Sequence, residues 1–160
     1  MVRLIQICGK FETNLQLANS MSENRFGTEI HPEDILEALD FFDSWEDRYK
    51  YIIDLGRELP PMDTSDRTEQ HLVRGCQSQV WLVAKQDSDK LYFQADSDAF
   101  IVKGLLGVVL AAYNAKTPAQ ITAFDIDAYF ERLDLLKHLS STRGNGLQAM
   151  VKKIQGIAAA

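Results

Sequence analysis

The apolar positions of this chain change period twice. From Pro32 the spacing is helical: Ile35, Leu36, Leu39 and Phe42 share one face, behind Glu33 and Asp34, acids that suit the positive end of a helix. A second helix is predicted behind a Ser44 cap with Asp47 three residues on. It should bury Trp45, Tyr49, Ile52 and Ile53 and stop at Leu59-Pro60-Pro61. The polar stretch from Met62 to Thr68 reads as a connection. The period then shortens. Val80 to Ala84 is continuously apolar, as in a strand covered on both faces, while Leu91, Phe93 and Ala95 alternate with more polar neighbours, as in a half-buried strand. Asp87-Ser88-Asp89-Lys90 joins the two as a hairpin, and Leu72-Val73 is expected to add a short third strand.

Helical spacing returns after the hairpin. Asp96-Ser97-Asp98 offers capping oxygens to a helix from about Ala99 to Tyr113 that is apolar nearly all round, and so central to the core. Gly104 and Gly107 cost that helix propensity, and close packing against the sheet is the reason expected for them. Thr117-Pro118-Ala119-Gln120 combines a cap, a first-turn proline and a capping-box Gln. A helix around Asp125 to Leu136 buries Ile126, Tyr129, Phe130 and Leu133; a last one, after Gly144-Asn145-Gly146, aligns Leu147, Met150, Val151 and Ile154. Helices, then strands, then helices predict an α+β fold, with a small antiparallel sheet of about three strands packed against several helices. Residues 1–30 show no sustained periodicity and are expected to form a mobile N-terminal arm ahead of a single domain over 31–160.

Composition narrows the function classes. At 160 residues, with 46% hydrophobic and 25% charged residues, the chain has the make-up of a globular domain with a substantial core. A net charge of -6 and scattered basic residues argue against a nucleic-acid surface, which needs clustered Lys and Arg. The apolar stretch from Ile101 to Tyr113 carries Lys103 and falls short of the roughly 20 residues of a spanning helix. Leu4, Ile5 and Ile7 ahead of Cys8 are too short a run for a lipoprotein signal, so cytoplasm is the expected compartment and no membrane association is expected.

The candidate chemistry centres on Cys76, in Leu72-Val73-Arg74-Gly75-Cys76-Gln77-Ser78-Gln79-Val80-Trp81-Leu82. A glycine and three polar residues bracket the thiol, unlike the apolar neighbours of a core cysteine, which predicts an exposed loop held by a rigid element. Gly75 can adopt backbone angles that other residues resist, and Arg74 could stabilise a thiolate. Attack on a sulfur atom needs only an accessible thiolate. A loop cysteine without a role, and a Cys-His nucleophile using His71 or His138, stand beside that reading. The only other cysteine, Cys8, is a poor disulfide partner, and His31, His71 and His138 lack paired ligand spacing, so no metal site is expected.

The run Arg74 to Leu82 resembles the signature of the SufE/CsdE family of sulfur-acceptor proteins. Trp45-Glu46-Asp47-Arg48-Tyr49, Ile53-Asp54-Leu55-Gly56 and Leu59-Pro60 extend the likeness. So do Asp96-Ser97-Asp98, Ile101-Val102-Lys103-Gly104-Leu105 and Ser141-Thr142-Arg143-Gly144-Asn145-Gly146-Leu147, over roughly residues 33 to 155. The resemblance implies a non-enzymatic partner that takes persulfide sulfur from a pyridoxal-phosphate cysteine desulfurase onto Cys76 and stimulates that enzyme. It then passes the sulfur to iron–sulfur cluster assembly. The implied partners are a SufS- or CsdA-type desulfurase and a SufBCD-type scaffold; the pyridoxal phosphate belongs to the desulfurase, so the resemblance implies no cofactor in this chain. The oligomeric state stays open, a homodimer among the options. The implied fold is similar to that of IscU-type scaffolds. Gly75, as hinge, and Gln77, Ser78, Arg143 and Asp98 are the expected loop supports, with Asp96 and Asp98 most simply helix caps, Arg143 most simply a partner of Asp98 or a helix cap, and Trp81 a core residue. The Gln-Ser-Gln after Cys76 looks like the SufE branch, and the Phe26-Gly27-Thr28 arm like the CsdE branch. A direct iron–sulfur scaffold or metal binder is the rival from another class, disfavoured because cluster ligation takes several cysteines. A thiol redox enzyme, which wants a resolving thiol, is the second rival.

Overall fold

A computed structural model describes residues 23–160. The element order is α1 (Pro32–Phe41), α2 (Trp45–Gly56), two 3-10 turns (Thr64–Asp66 and Glu69–His71), β1 (Val80–Asp87) and β2 (Lys90–Ser97). Then follow α3 (Phe100–Tyr113), α4 (Pro118–Ala123), α5 (Ile126–Leu133), a 3-10 turn (Leu136–His138) and α6 (Ser141–Ala159). The architecture is α+β.

Local signals set most element boundaries. At α1 the Asp34 carboxylate accepts from the His31 N–H at 2.8 Å, and at α2 the Ser44 hydroxyl accepts from the Asp47 N–H at 3.2 Å. Thr117 and Gln120 form the reciprocal capping box of α4. β1 and β2 pair antiparallel from Val80↔Ser97 to Asp87↔Lys90, around a two-residue turn in which Ser88 takes a φ of 56°. The sheet has two strands rather than three: Leu72 meets Trp81 in an isolated bridge, and the Val73 N–H donates to the Val80 carbonyl at 2.8 Å before the chain leaves for the cysteine loop. One face of the hairpin lies on α3. The other is covered at its β2 end by the connection after Pro61, so Gln94, Asp96 and Ser97 are buried although an alternating strand would expose two of them.

Almost every residue of α3 is buried, as the apolar run predicts. Its glycines serve helix packing and a side-chain notch, not the sheet. A Cβ on Gly104 would lie 2.1 Å from the Ile52 carbonyl oxygen of α2, and one on Gly107 would lie 2.8 Å from the Phe26 ring. One cap and one boundary differ from the sequence reading. No side-chain oxygen caps α3, whose N-cap position is Ala99. And α6 starts at Ser141, running through Gly144 and Gly146, because Ser140 Oγ accepts from the Arg143 N–H at 3.3 Å while Leu147, Met150 and Ile154 anchor the helix in the core.

The expected arm is also revised. Residues 1–22 lie outside the described residues, but 23–30 are packed. Phe26 is fully buried, and the Asn114 side chain donates to the Phe26 carbonyl at 2.9 Å while accepting from the Phe93 N–H at 2.7 Å.

Candidate functional site

The cysteine loop leaves the sheet after Val73 and rejoins it at Val80. Gly75 turns the chain with a φ of +95°, a region that disfavours any side chain, and a Cβ there would sit 3.3 Å from the Ala149 Cβ of α6. That turn lays Cys76 against α6. The Cys76 Sγ–H points to the Gly146 carbonyl at 3.5 Å, and the residue is half-buried rather than exposed. Burial pushes the thiol pKa up, because the thiolate loses hydration more than the neutral thiol does.

Beside the sulfur is a cavity of ≈ 100 Å³. Val102 and Leu105 of α3 and Met150 of α6 give it apolar walls, while Gln77, Ser78, Thr142 and Arg143 supply polar ones. Arg143 is solvent-exposed, in the first turn of α6. It is not paired with Asp98. A cation and a helix N-terminus at one wall both favour negative charge there.

The return limb of the loop is clamped. The Gln79 N–H donates to Asp98 Oδ1 at 3.0 Å, and the Ser97 hydroxyl donates to the Gln79 carbonyl at 2.7 Å. Ser97 Oγ in turn accepts from the Ala99 N–H at 3.2 Å, tying the clamp to the start of α3. Asp98 thus contacts the loop, not the helix end. Asp96 does not cap either: its side chain, 6% exposed, binds Arg67 and, at 3.2 Å, Lys103. A buried carboxylate is sustained by such paired cations. Arg67 also lies over the Trp81 ring, 5.6 Å from its centroid. Trp81 is half-buried in a small second cluster with Met62, Val83 and Tyr92, apart from the main core.

Three sequence expectations find other partners. Arg74 turns away from the sulfur to Glu69 at 3.3 Å. His71 Nδ1 faces the Asp66 carbonyl at 2.7 Å, and His138 stacks on Trp45 with ring centroids 3.8 Å apart. Neither histidine joins Cys76 in a dyad. Among the described residues no group of three or more His, Cys, Asp or Glu could hold a metal ion, and Cys76 is the only cysteine; Cys8 lies outside them. The sequence reading missed Val102, Leu105, Gly146 and Met150 as lining residues. Their helical stripes were visible, but which stripe faces the loop depends on tertiary packing.

Fold and site define a class: an α+β domain whose described residues present one thiol, on a loop turned at Gly75, beside a small cavity. The model of the SufE family, described as an Fe-S metabolism associated domain, matches residues 33–158. An uncharacterized SufE-like protein of Rhizobium meliloti is 43% identical over 127 residues, 77% of this chain and 91% of that one. Another from Rhizobium etli is 44% identical over 127 residues, covering 77% and 86%. The solution structure of a hypothetical protein from Thermus thermophilus superposes with a TM-score of 0.65 over 80% of this chain and 93% of that one, at 18% identity, a likeness of fold. The chain belongs to the SufE family. Membership places it in a sulfur-transfer family of iron–sulfur metabolism, and the family domain implies a cysteine desulfurase as partner in general. Among the described residues no helix is long and apolar enough to cross a membrane.

Proposed function

We propose that Cys76 accepts persulfide sulfur from a SufS- or CsdA-type cysteine desulfurase, stimulating that enzyme by clearing its persulfide, and passes the sulfur to a SufBCD-type assembly in the cytoplasm. The observation that carries this reading is a half-buried thiol set against a cavity, on a loop that Gly75 turns with a φ of +95°. In the transfer step the Cys76 thiolate attacks the outer sulfur of the donor's Cys–S–SH. A new S–S bond forms at Cys76, the donor's S–S bond breaks, and its electron pair leaves on the donor cysteine as thiolate. One thiolate and one persulfide enter and one of each leave, so no oxidant is needed.

The loop has two states in this account. Folded back, Cys76 points at α6, where its raised pKa keeps the resting thiol protonated. Extended into the donor, it regains hydration and its thiolate fraction rises. After transfer the loop returns, and the added sulfur sits in the ≈ 100 Å³ cavity away from stray thiols. A persulfide is a stronger acid than a thiol, so Arg143 and the first turn of α6 suit its anion. Gln77 and Ser78, at the cavity wall, release with the loop, while Ser97 and Asp98 hold its return limb.

The test is desulfurase turnover with L-cysteine, with and without this protein. Turnover should rise with the wild type and stay at the basal rate with Cys76→Ser. Equal stimulation by both proteins would contradict the role given to the thiol.

A further inference from the structure

Three parts of the cysteine site meet at one buried carboxylate. Asp96 Oδ1 accepts from the Ser97 N–H at 2.8 Å and pairs with Lys103 at 3.2 Å, while Oδ2 pairs with Arg67. Ser97 holds the return limb of the loop through its hydroxyl. Lys103 belongs to α3, whose Val102 and Leu105 wall the cavity. Arg67 belongs to the connection that runs into the outgoing limb.

That connection is bonded to itself. His71 Nδ1 faces the Asp66 carbonyl at 2.7 Å and the Thr68 hydroxyl at 3.2 Å, and the Leu72 N–H donates to the Glu69 carbonyl at 3.3 Å. Arg67 carries its ion pair to the hairpin. The guanidinium also lies over the Trp81 ring, and Trp81 stands opposite Asp96 in the strand register, so ring and carboxylate hold it together. Beyond this attachment Leu72 bridges Trp81, the Val73 N–H donates to Val80, and Gly75 turns the chain. Charge balance alone does not require Arg67. Without it Asp96 still has a cation in Lys103 and a donor in the Ser97 N–H. What Arg67 adds is a point of attachment.

We propose that Arg67 is a positioning residue for sulfur transfer: it lashes the outgoing limb to Asp96 and Trp81, so that motion is confined to the tip, Arg74 to Ser78, and the Cys76 sulfur reaches its donor from a fixed root. The role rests on the sulfur-transfer reading and adds to it the side chain that sets where the sulfur is presented. A root held in place before docking loses less freedom on docking than a loose one. Loosening the root therefore opens the sulfur to a small reagent while hindering its delivery to a protein.

Arg67→Ala tests this with three measurements on the full chain. In hydrogen exchange of the isolated protein, the Val73 amide should exchange about 10-fold faster or more, while the amides of α3 keep their wild-type rates. Iodoacetamide should alkylate Cys76 about 3- to 10-fold faster at neutral pH. With a cysteine desulfurase and L-cysteine, the concentration giving half-maximal stimulation should rise at least about 5-fold, with maximal turnover within about twofold of wild type. Arg67→Lys keeps a cation opposite Asp96 but not the planar contact with Trp81, and should fall between the two. Exchange that quickens equally in α3 makes Arg67 a general stabiliser and overturns the proposal. Unchanged exchange at Val73, or an unchanged half-maximal concentration, overturns it as well. If the wild type itself gives no stimulation, the sulfur-transfer reading fails, and exchange and alkylation still decide whether Arg67 fixes the root.

Discussion

Cys76 is held by its neighbours in a state that restrains its chemistry. Burial favours the neutral thiol, so the folded-back loop keeps its full stability below the ordinary thiol range and loses it as pH rises through the raised pKa. Alkylation of the isolated protein by iodoacetamide should therefore titrate above the midpoint of a free cysteine; a midpoint at or below it would remove the restraint argued here. Gly75 makes the folded-back state possible. Gly75→Ala places a side chain at a φ of +95°, with Ala149 3.3 Å away, at a cost of about 1–2 kcal/mol. Extension relieves that angle, so the variant should alkylate about 5- to 30-fold faster at neutral pH. That the thiol, its glycine and its polar neighbours form a loop ahead of β1 was legible in sequence. Its half-burial was not, because the carbonyl it faces belongs to Gly146, far along the chain.

Secondary-structure elements follow local chemistry where caps and turns decide, and tertiary packing where glycines do. The Ser44 and Thr117 caps and the Asp87-Lys90 hairpin could be read directly, since each involves residues a few positions apart. The roles of Gly104 and Gly146 depend on which element lies opposite. The same holds for Asp96-Ser97-Asp98, read as capping oxygens but engaged with Arg67, Lys103 and Gln79. Gly104→Ala would force a Cβ to 2.1 Å from the Ile52 carbonyl oxygen, a backbone atom, so α2 must move. Overpacking of this kind should cost about 3 kcal/mol or more in urea unfolding. Gly156→Ala, within α6 and with nothing inside 4 Å, should instead stabilise by about 0.5–1 kcal/mol. If both substitutions had the same sign, close helix packing would not explain Gly104.

At the scale of the whole molecule, α3 is the shared wall of core and site: Val102 and Leu105 line the cavity, while Gly104 and Gly107 admit α2 and Phe26. The segment 23–30, expected to be loose, is held to this core by Phe26, Asn24 and Asn114. A single aromatic among polar residues gives no period, so its burial could not be read from pattern. Phe26→Ala should cost about 3–5 kcal/mol in urea unfolding, and a loss below 1 kcal/mol would show the segment to be dispensable. The central claim is that this fold carries sulfur on one thiol. Intact-mass spectrometry after incubation with a cysteine desulfurase and L-cysteine tests it most directly. The account predicts one added sulfur atom, located at Cys76 and removed by reductant; sulfur found on the Cys76→Ser variant to the same extent would contradict it.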